Sequence, residues 1–290
     1  MTEPIHIIET KNQLGEGVLW DGREGVALWI DIEGAKFWRW QMGGEAQSFA
    51  LPERPGSFAL TARAGTYLGA FENGFARFSP AKDAFEMLAP VTRDTPHLRM
   101  NDGRVDRSGT FWAGSMAEKE GSPLGSLWRY EDADKATACI DNIRIPNSLC
   151  WNGDGSIMYF ADSPRNMIWA YAFDPDLGPV GAPGIFASTP NGIHPDGSCI
   201  DAQDHLWNAQ WGAGEVVRYR PDGSIERRLK LPVSQPSCVA FGGDKLDLLF
   251  VTSARVDLSA EQLAAQPLAG ALLVYDVGFT GLAESICKDG

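Results

Sequence analysis

Two carboxylates, two carboxamides and two hydroxyls recur at matched places along this 290-residue chain: Glu16, Ser57, Asn101, Asn147, Asp196 and Ser237. Each precedes by 10 to 13 residues an aromatic residue in a short apolar run, namely Trp29, Tyr67, Trp112, Tyr159, Trp207 and Phe250. If the repeats are arranged about one axis, the six polar side chains gather at one end of it. Two carboxylates brought close repel unless one takes up a proton or a cation lies between them. Carboxylate and amide oxygens together make a hard donor set suited to Ca²⁺, Mg²⁺ or Mn²⁺, with Zn²⁺ and Fe²⁺ less natural in a set without histidine. The same six residues could instead hydrate a channel or plug it with hydrogen bonds, and residue type alone leaves both readings open.

The elements that must position these residues follow from the period. The six aromatics are spaced by 38, 45, 47, 48 and 43 residues, an average of about 44. Each sits in a strand-like run, from Leu28-Trp29-Ile30 through Leu206-Trp207-Asn208 to Leu249-Phe250-Val251. A second run follows each after a short polar loop, such as Phe37-Trp38-Arg39-Trp40 or Leu272-Leu273-Val274-Tyr275. Turns of the type Asp106-Arg107-Ser108-Gly109 precede several of them, which is the chemistry of a tight reversal. A period of 40–50 residues with several strands per unit predicts an all-β, six-bladed β-propeller with a central channel, spanning residues 1–290 as a single domain. A β-sandwich with accidental spacing would not repeat both strands in every unit. The sixth unit lacks a fourth strand, so the run 5–10 is expected to close the ring, with 282–287 as a competitor. Residues 258–266 read as one short surface helix.

Composition narrows the function. Hydrophobic residues at 44% and charged residues at 22% exclude wholesale disorder. A net charge of −13 argues against nucleic acid as a partner, although it serves solubility equally well. No apolar stretch approaches a membrane span, and an acid stands where a signal peptide wants a base, so a cytoplasmic protein is expected. The five cysteines (Cys139, Cys150, Cys199, Cys238 and Cys287) are odd in number and form no CxxC pair, which fits reduced thiols packed between blades. No GxSxG elbow or HExxH pair supports a serine-hydrolase or zinc-protease reading. His97 and His194 stand near Arg99 and Asp196 and could reach the channel mouth, although they read more simply as loop histidines. A monomer or weak homo-oligomer is expected.

Several motifs, in order and in phase with the repeat, resemble the SMP-30/gluconolactonase family, which includes regucalcin. They are Leu14-Gly15-Glu16-Gly17, Arg99-Met100-Asn101-Asp102-Gly103-Arg104, Ala113-Gly114-Ser115-Met116, Ile145-Pro146-Asn147-Ser148, Pro195-Asp196-Gly197-Ser198 and Gln266-Pro267-Leu268-Ala269-Gly270. The resemblance implies a six-bladed propeller in which Glu16, Asn147 and Asp196 bind one divalent cation through oxygen. It further implies that Asp196 acts in proton transfer and that Arg99 and Asn101 contact substrate. One position departs from the family pattern. Where relatives carry consecutive acids, this chain reads Glu118-Lys119-Glu120, so Lys119 replaces the acid expected to touch substrate, and Glu118 or Glu120 could take that contact. The stretch 118–123 is long enough for a lid over the channel. The implied activity is metal-dependent hydrolysis of a sugar aldonolactone of the gluconolactone type to its aldonic acid. A calcium-binding regulatory protein without turnover, and a phosphotriesterase on the same fold, are the rival readings.

Overall fold

The computed structural model describes residues 3–95, 97–118, 122–132 and 134–288. Six four-stranded antiparallel sheets form the blades of a β-propeller. Blades I to V are continuous in sequence, at residues 15–50, 55–89, 98–143, 146–188 and 194–230. Blade VI takes its three inner strands from residues 236–276 and its outermost strand from His6–Ile8. There His6 pairs with Val274 and Ile8 with Leu272, so both ends of the ring share one sheet. Each innermost strand contacts the innermost strand of the next blade, and Gly15–Asp21 of blade I meets Pro236–Gly242 of blade VI.

The period has a packing cause. All six marker aromatics lie in second strands and are buried. In blades III and V a buried aspartate at the end of the first strand holds the indole of the second. Asp106 accepts from Trp112 Nε1 at 2.9 Å and Asp201 from Trp207 Nε1 at 2.8 Å. The other oxygen of each aspartate closes the intervening turn, Asp106 taking the amides of Ser108 and Thr110 and Asp201 those of Gln203 and His205. One acid therefore fixes turn, register and core aromatic together.

Cys150, Cys199 and Cys238 are buried among apolar side chains. The short helix Ala260–Ala265 is capped reciprocally by Ser259 and Gln262. Residues 282–287 join no blade. That segment crosses the end of the ring opposite the channel positions, between a bridge from Gly281 to Asp201 and one from Cys287 to Thr61. Among the described residues no helix is long and apolar enough to cross a membrane.

Candidate metal and substrate site at the channel mouth

Every innermost strand carries a β-bulge at the channel position. Register with the second strand slips between Glu16 and Leu19, Pro55 and Ser57, Met100 and Gly103, Asn147 and Cys150, Pro195 and Ser198, and Pro236 and Val239. A bulge bends the strand and re-aims a side chain that the regular pleat would send elsewhere. Gly17 and Ser148, directly after Glu16 and Asn147, have φ of 58° and 61°, in the left-handed region that such a bulge uses. Glu16, Asn101, Asn147 and Asp196 line one cavity of about 330 Å³ together with Arg99. Ser57 and Ser237 do not line it; the Ser237 hydroxyl is bonded to the Gly15 carbonyl and ties blade VI to blade I.

A directed hydrogen-bond chain runs across three blades. Arg99 Nη1 donates to Asn101 Oδ1 at 2.8 Å, and Asn101 Nδ2 donates to Asn147 Oδ1 at 3.1 Å and to the Pro146 carbonyl at 3.0 Å. Asn147 Nδ2 donates to Ser163 Oγ at 2.8 Å. The main-chain carbonyl of Asp196 receives Ser148 Oγ at 2.6 Å and Asn208 Nδ2 at 2.8 Å, which pins its bulge against blade IV. Asn101 thus spends its side chain holding Arg99 and Asn147 in place while bordering the cavity.

Charge at the site is unbalanced. Burial, with the nearby Asp102 carboxylate adding to it, pushes Glu16 up to about 8. Asp196 is raised well above the carboxylate range by burial first and then by Glu16 and Asp102. Asp102 itself is raised by burial, against the opposing pull of the Leu149 amide and Arg104. Burial lowers the Arg99 guanidinium. Glu16 and Asp196 therefore lack the countercharge that would let both ionise. Among the described residues no three acidic, histidine or cysteine side chains converge, and an amide oxygen beside the acids would add to a cation's donor set. Asn147 offers one, since its amine is turned away onto Ser163 and its oxygen toward Asn101. Two carboxylates and an amide oxygen suit a hard divalent cation, and these residues fit one.

The rim holds groups that sequence reading missed. Arg54 bridges Glu118 at 2.6 Å, Glu72 at 2.8 Å and Glu33 at 3.6 Å. Glu118 Oε1 also approaches Arg99 Nε at 3.6 Å, and its carboxyl is held below the usual range chiefly by Arg54. Glu118 does not border the cavity, while Glu33 does. Lys119 and Glu120 lie outside the described residues. His194, read above as a loop histidine, lines the cavity instead, as does its cross-strand partner Trp211. The hairpin register of blade V places that pair, which a strand-by-strand reading of the sequence could have supplied.

Comparison with known proteins agrees with this architecture. The family described as SMP-30/Gluconolactonase/LRE-like region matches residues 14–255. The chain is 33% identical over 286 residues to a 6-deoxy-6-sulfogluconolactonase of Pseudomonas putida, covering 97% of each. It is 38% identical over 285 residues to an L-arabinolactonase of Azospirillum brasilense, covering 96% of this chain and 93% of that one. A crystal structure of a calcium-binding protein, regucalcin, from Agrobacterium tumefaciens superposes with a TM-score of 0.92 at 32% identity, covering 98% of both chains. A bulged six-blade ring, acids converging on its mouth and end-to-end similarity of this degree lead to one assignment: the chain belongs to the SMP-30/gluconolactonase/LRE-like family.

Proposed function

We propose that this chain hydrolyses the internal ester of a sugar lactone to the open-chain sugar acid, in the channel-mouth cavity, with one divalent cation held by Glu16, Asn147 and Asp196. One observation carries the reading: two buried carboxylates, an oriented amide oxygen and a buried guanidinium converge on a single ligand-sized cavity. Lactonases among the relatives support the reaction class, and the calcium-binding structural relative supports a hard cation. A cation-binding protein without turnover would need the same three oxygen donors but no Arg99 bordering the cavity.

A bound divalent cation supplies countercharge to the paired acids and Lewis acidity toward a carbonyl or water oxygen. Asp196 takes the proton of the attacking water as its oxygen bonds to the lactone carbonyl carbon. When the ring C–O bond breaks, Asp196 returns a proton to the departing ring oxygen. Arg99, locked by Asn101, orients the substrate and donates to negative charge developing on oxygen. Met116, Ile145, Pro164 and Trp211 supply the apolar wall against which a sugar ring packs and water is excluded.

A panel of five- and six-carbon aldonolactones, followed with a pH indicator, tests this. Apoprotein is assayed after separate reloading with Ca²⁺, Mg²⁺, Mn²⁺, Zn²⁺ or Fe²⁺. Acid release that depends on the added cation is expected for at least one lactone, and no release with any pairing would overturn the assignment.

A further inference from the structure

We propose that Ser163 is a positioning residue: its hydroxyl fixes the Asn147 carboxamide with the oxygen toward the cavity, and so completes the cation's donor set. This rests on the cation site proposed above. Ser163 opens the 3₁₀ turn Ser163–Arg165 between the second and third strands of blade IV and is 4% exposed.

Counting protons assigns the ends of the carboxamide. A serine hydroxyl has a single proton, and Ser163 Oγ lies 2.7 Å from the Pro195 carbonyl, which can only accept. The proton goes there, so toward Asn147 the same oxygen can only accept. The Asn147 atom 2.8 Å away must then be the amine. The opposite end of the chain agrees, and the two contacts together hold the carboxamide, Ser163 by its amine and Asn101 by its oxygen. Arg99 can only donate, which fixes Asn101 Oδ1 toward it, and the Pro146 carbonyl can only accept, which fixes Asn101 Nδ2 on the other side. The Asn147 atom facing that amine at 3.1 Å must be oxygen. Turning the carboxamide over would set amine against amine at Asn101 and oxygen against oxygen at Ser163, whose one proton is on the Pro195 carbonyl.

This matters because the two ends of a carboxamide are nearly equal in size, yet only the oxygen can ligate a cation. The hydroxyl also links two blades. It bonds Asn147 on the inner strand of blade IV and the carbonyl of Pro195, the residue before Asp196 in blade V. One small group therefore sets both the orientation of one proposed ligand and the backbone beside another. The main-chain carbonyl of Ser163 separately receives the His194 ring at 3.1 Å, an interaction that removing the side chain leaves in place.

The experiment titrates Mn²⁺ alone into metal-free protein by calorimetry. Four proteins are compared: wild type, Ser163→Ala, Asn147→Asp and the double variant. Partners behind a ligand are typically worth 10–100-fold in affinity, so Ser163→Ala should weaken Mn²⁺ by roughly that factor. In the Asn147→Asp background either oxygen can face the cavity, and Ser163→Ala should cause no further loss. Ser79→Ala, which removes a buried hydroxyl bonded to Thr66 at 3.0 Å in blade II, controls for general loosening and should leave affinity unchanged. If Ser163→Ala does not fold, Ser163→Cys keeps the shape with a poor acceptor and should show the same background-dependent loss. Wild-type affinity in Ser163→Ala would overturn the inference, as would an equal loss in both backgrounds. Absence of Mn²⁺ binding by the wild type would overturn the cation site itself, a failure distinct from either.

Discussion

Loading the channel mouth with a divalent cation should expel a proton, and the size of the effect follows from the burial of Glu16. With its carboxyl at about 8, Glu16 holds a proton in roughly nine molecules of ten at pH 7 in the cation-free protein. A cation binds the ionised form, so that proton has to leave on binding. The sign is therefore fixed: lowering the pH strengthens the competitor and weakens the cation. Glu16 alone should make apparent affinity rise by about tenfold per pH unit between pH 6 and 8. Asp196, raised for the same reasons, adds to the release in the same direction. Calorimetric Mn²⁺ titrations at pH 6, 7, 8 and 9, each in two buffers of different ionisation enthalpy, give affinity and proton count together. Affinity that is flat from pH 6 to 8, with no proton released, would refute the reasoning. It would mean that both acids are already ionised and that relief of their repulsion contributes nothing to binding.

Arg99→Ala should leave Mn²⁺ affinity unchanged while kcat/KM for a responsive lactone falls by about 10²-fold, the loss of one well-placed donor; parallel loss of affinity and rate would instead make Arg99 part of the cation's support. Asp106→Ala strips acceptors from Ser108, Thr110 and the buried Trp112 indole at once. Urea unfolding should show a loss of roughly 3–5 kcal/mol, and a loss below about 1 kcal/mol would contradict its role as the pin of blade III. Burial pushes the Cys150 thiol up to about 12 and raises Cys199 and Cys238 beyond the ordinary range. Cys139 is raised too but is partly exposed, so native protein at pH 8 should react with a thiol reagent first at Cys139, the other four labelling after denaturation; a second thiol as fast would contradict the packing.

The blades were legible because each repeats a local event. A buried aromatic in the second strand and a partner run recur in every blade, and in blades III and V a turn acid six residues before the aromatic holds its indole, so Trp112 and Trp207 mark the same place. The bulges were not legible, since nothing in Pro195-Asp196-Gly197-Ser198 distinguishes a slipped register from a regular pleat. They occur in all six inner strands, yet only Glu16, Asn101, Asn147 and Asp196 of the six channel positions border the cavity. Contacts across blades escaped for a related reason. Arg54 and Glu118 are joined by the ring rather than by spacing, and Ser163 reaches Asn147 only once blade IV has folded back. Asp102 was within a quoted motif, yet its electrostatic pressure on Glu16 and Asp196 requires all three to be buried together.

Asp196→Asn separates proton transfer from cation binding when lactone hydrolysis and Mn²⁺ binding are measured on the same preparation. An amide oxygen can still face a cation but cannot take a proton from water. The expected result is a folded protein that still binds Mn²⁺, with kcat lowered by about 10²–10⁴-fold. Cation retained with wild-type kcat would contradict the assignment of proton transfer to Asp196.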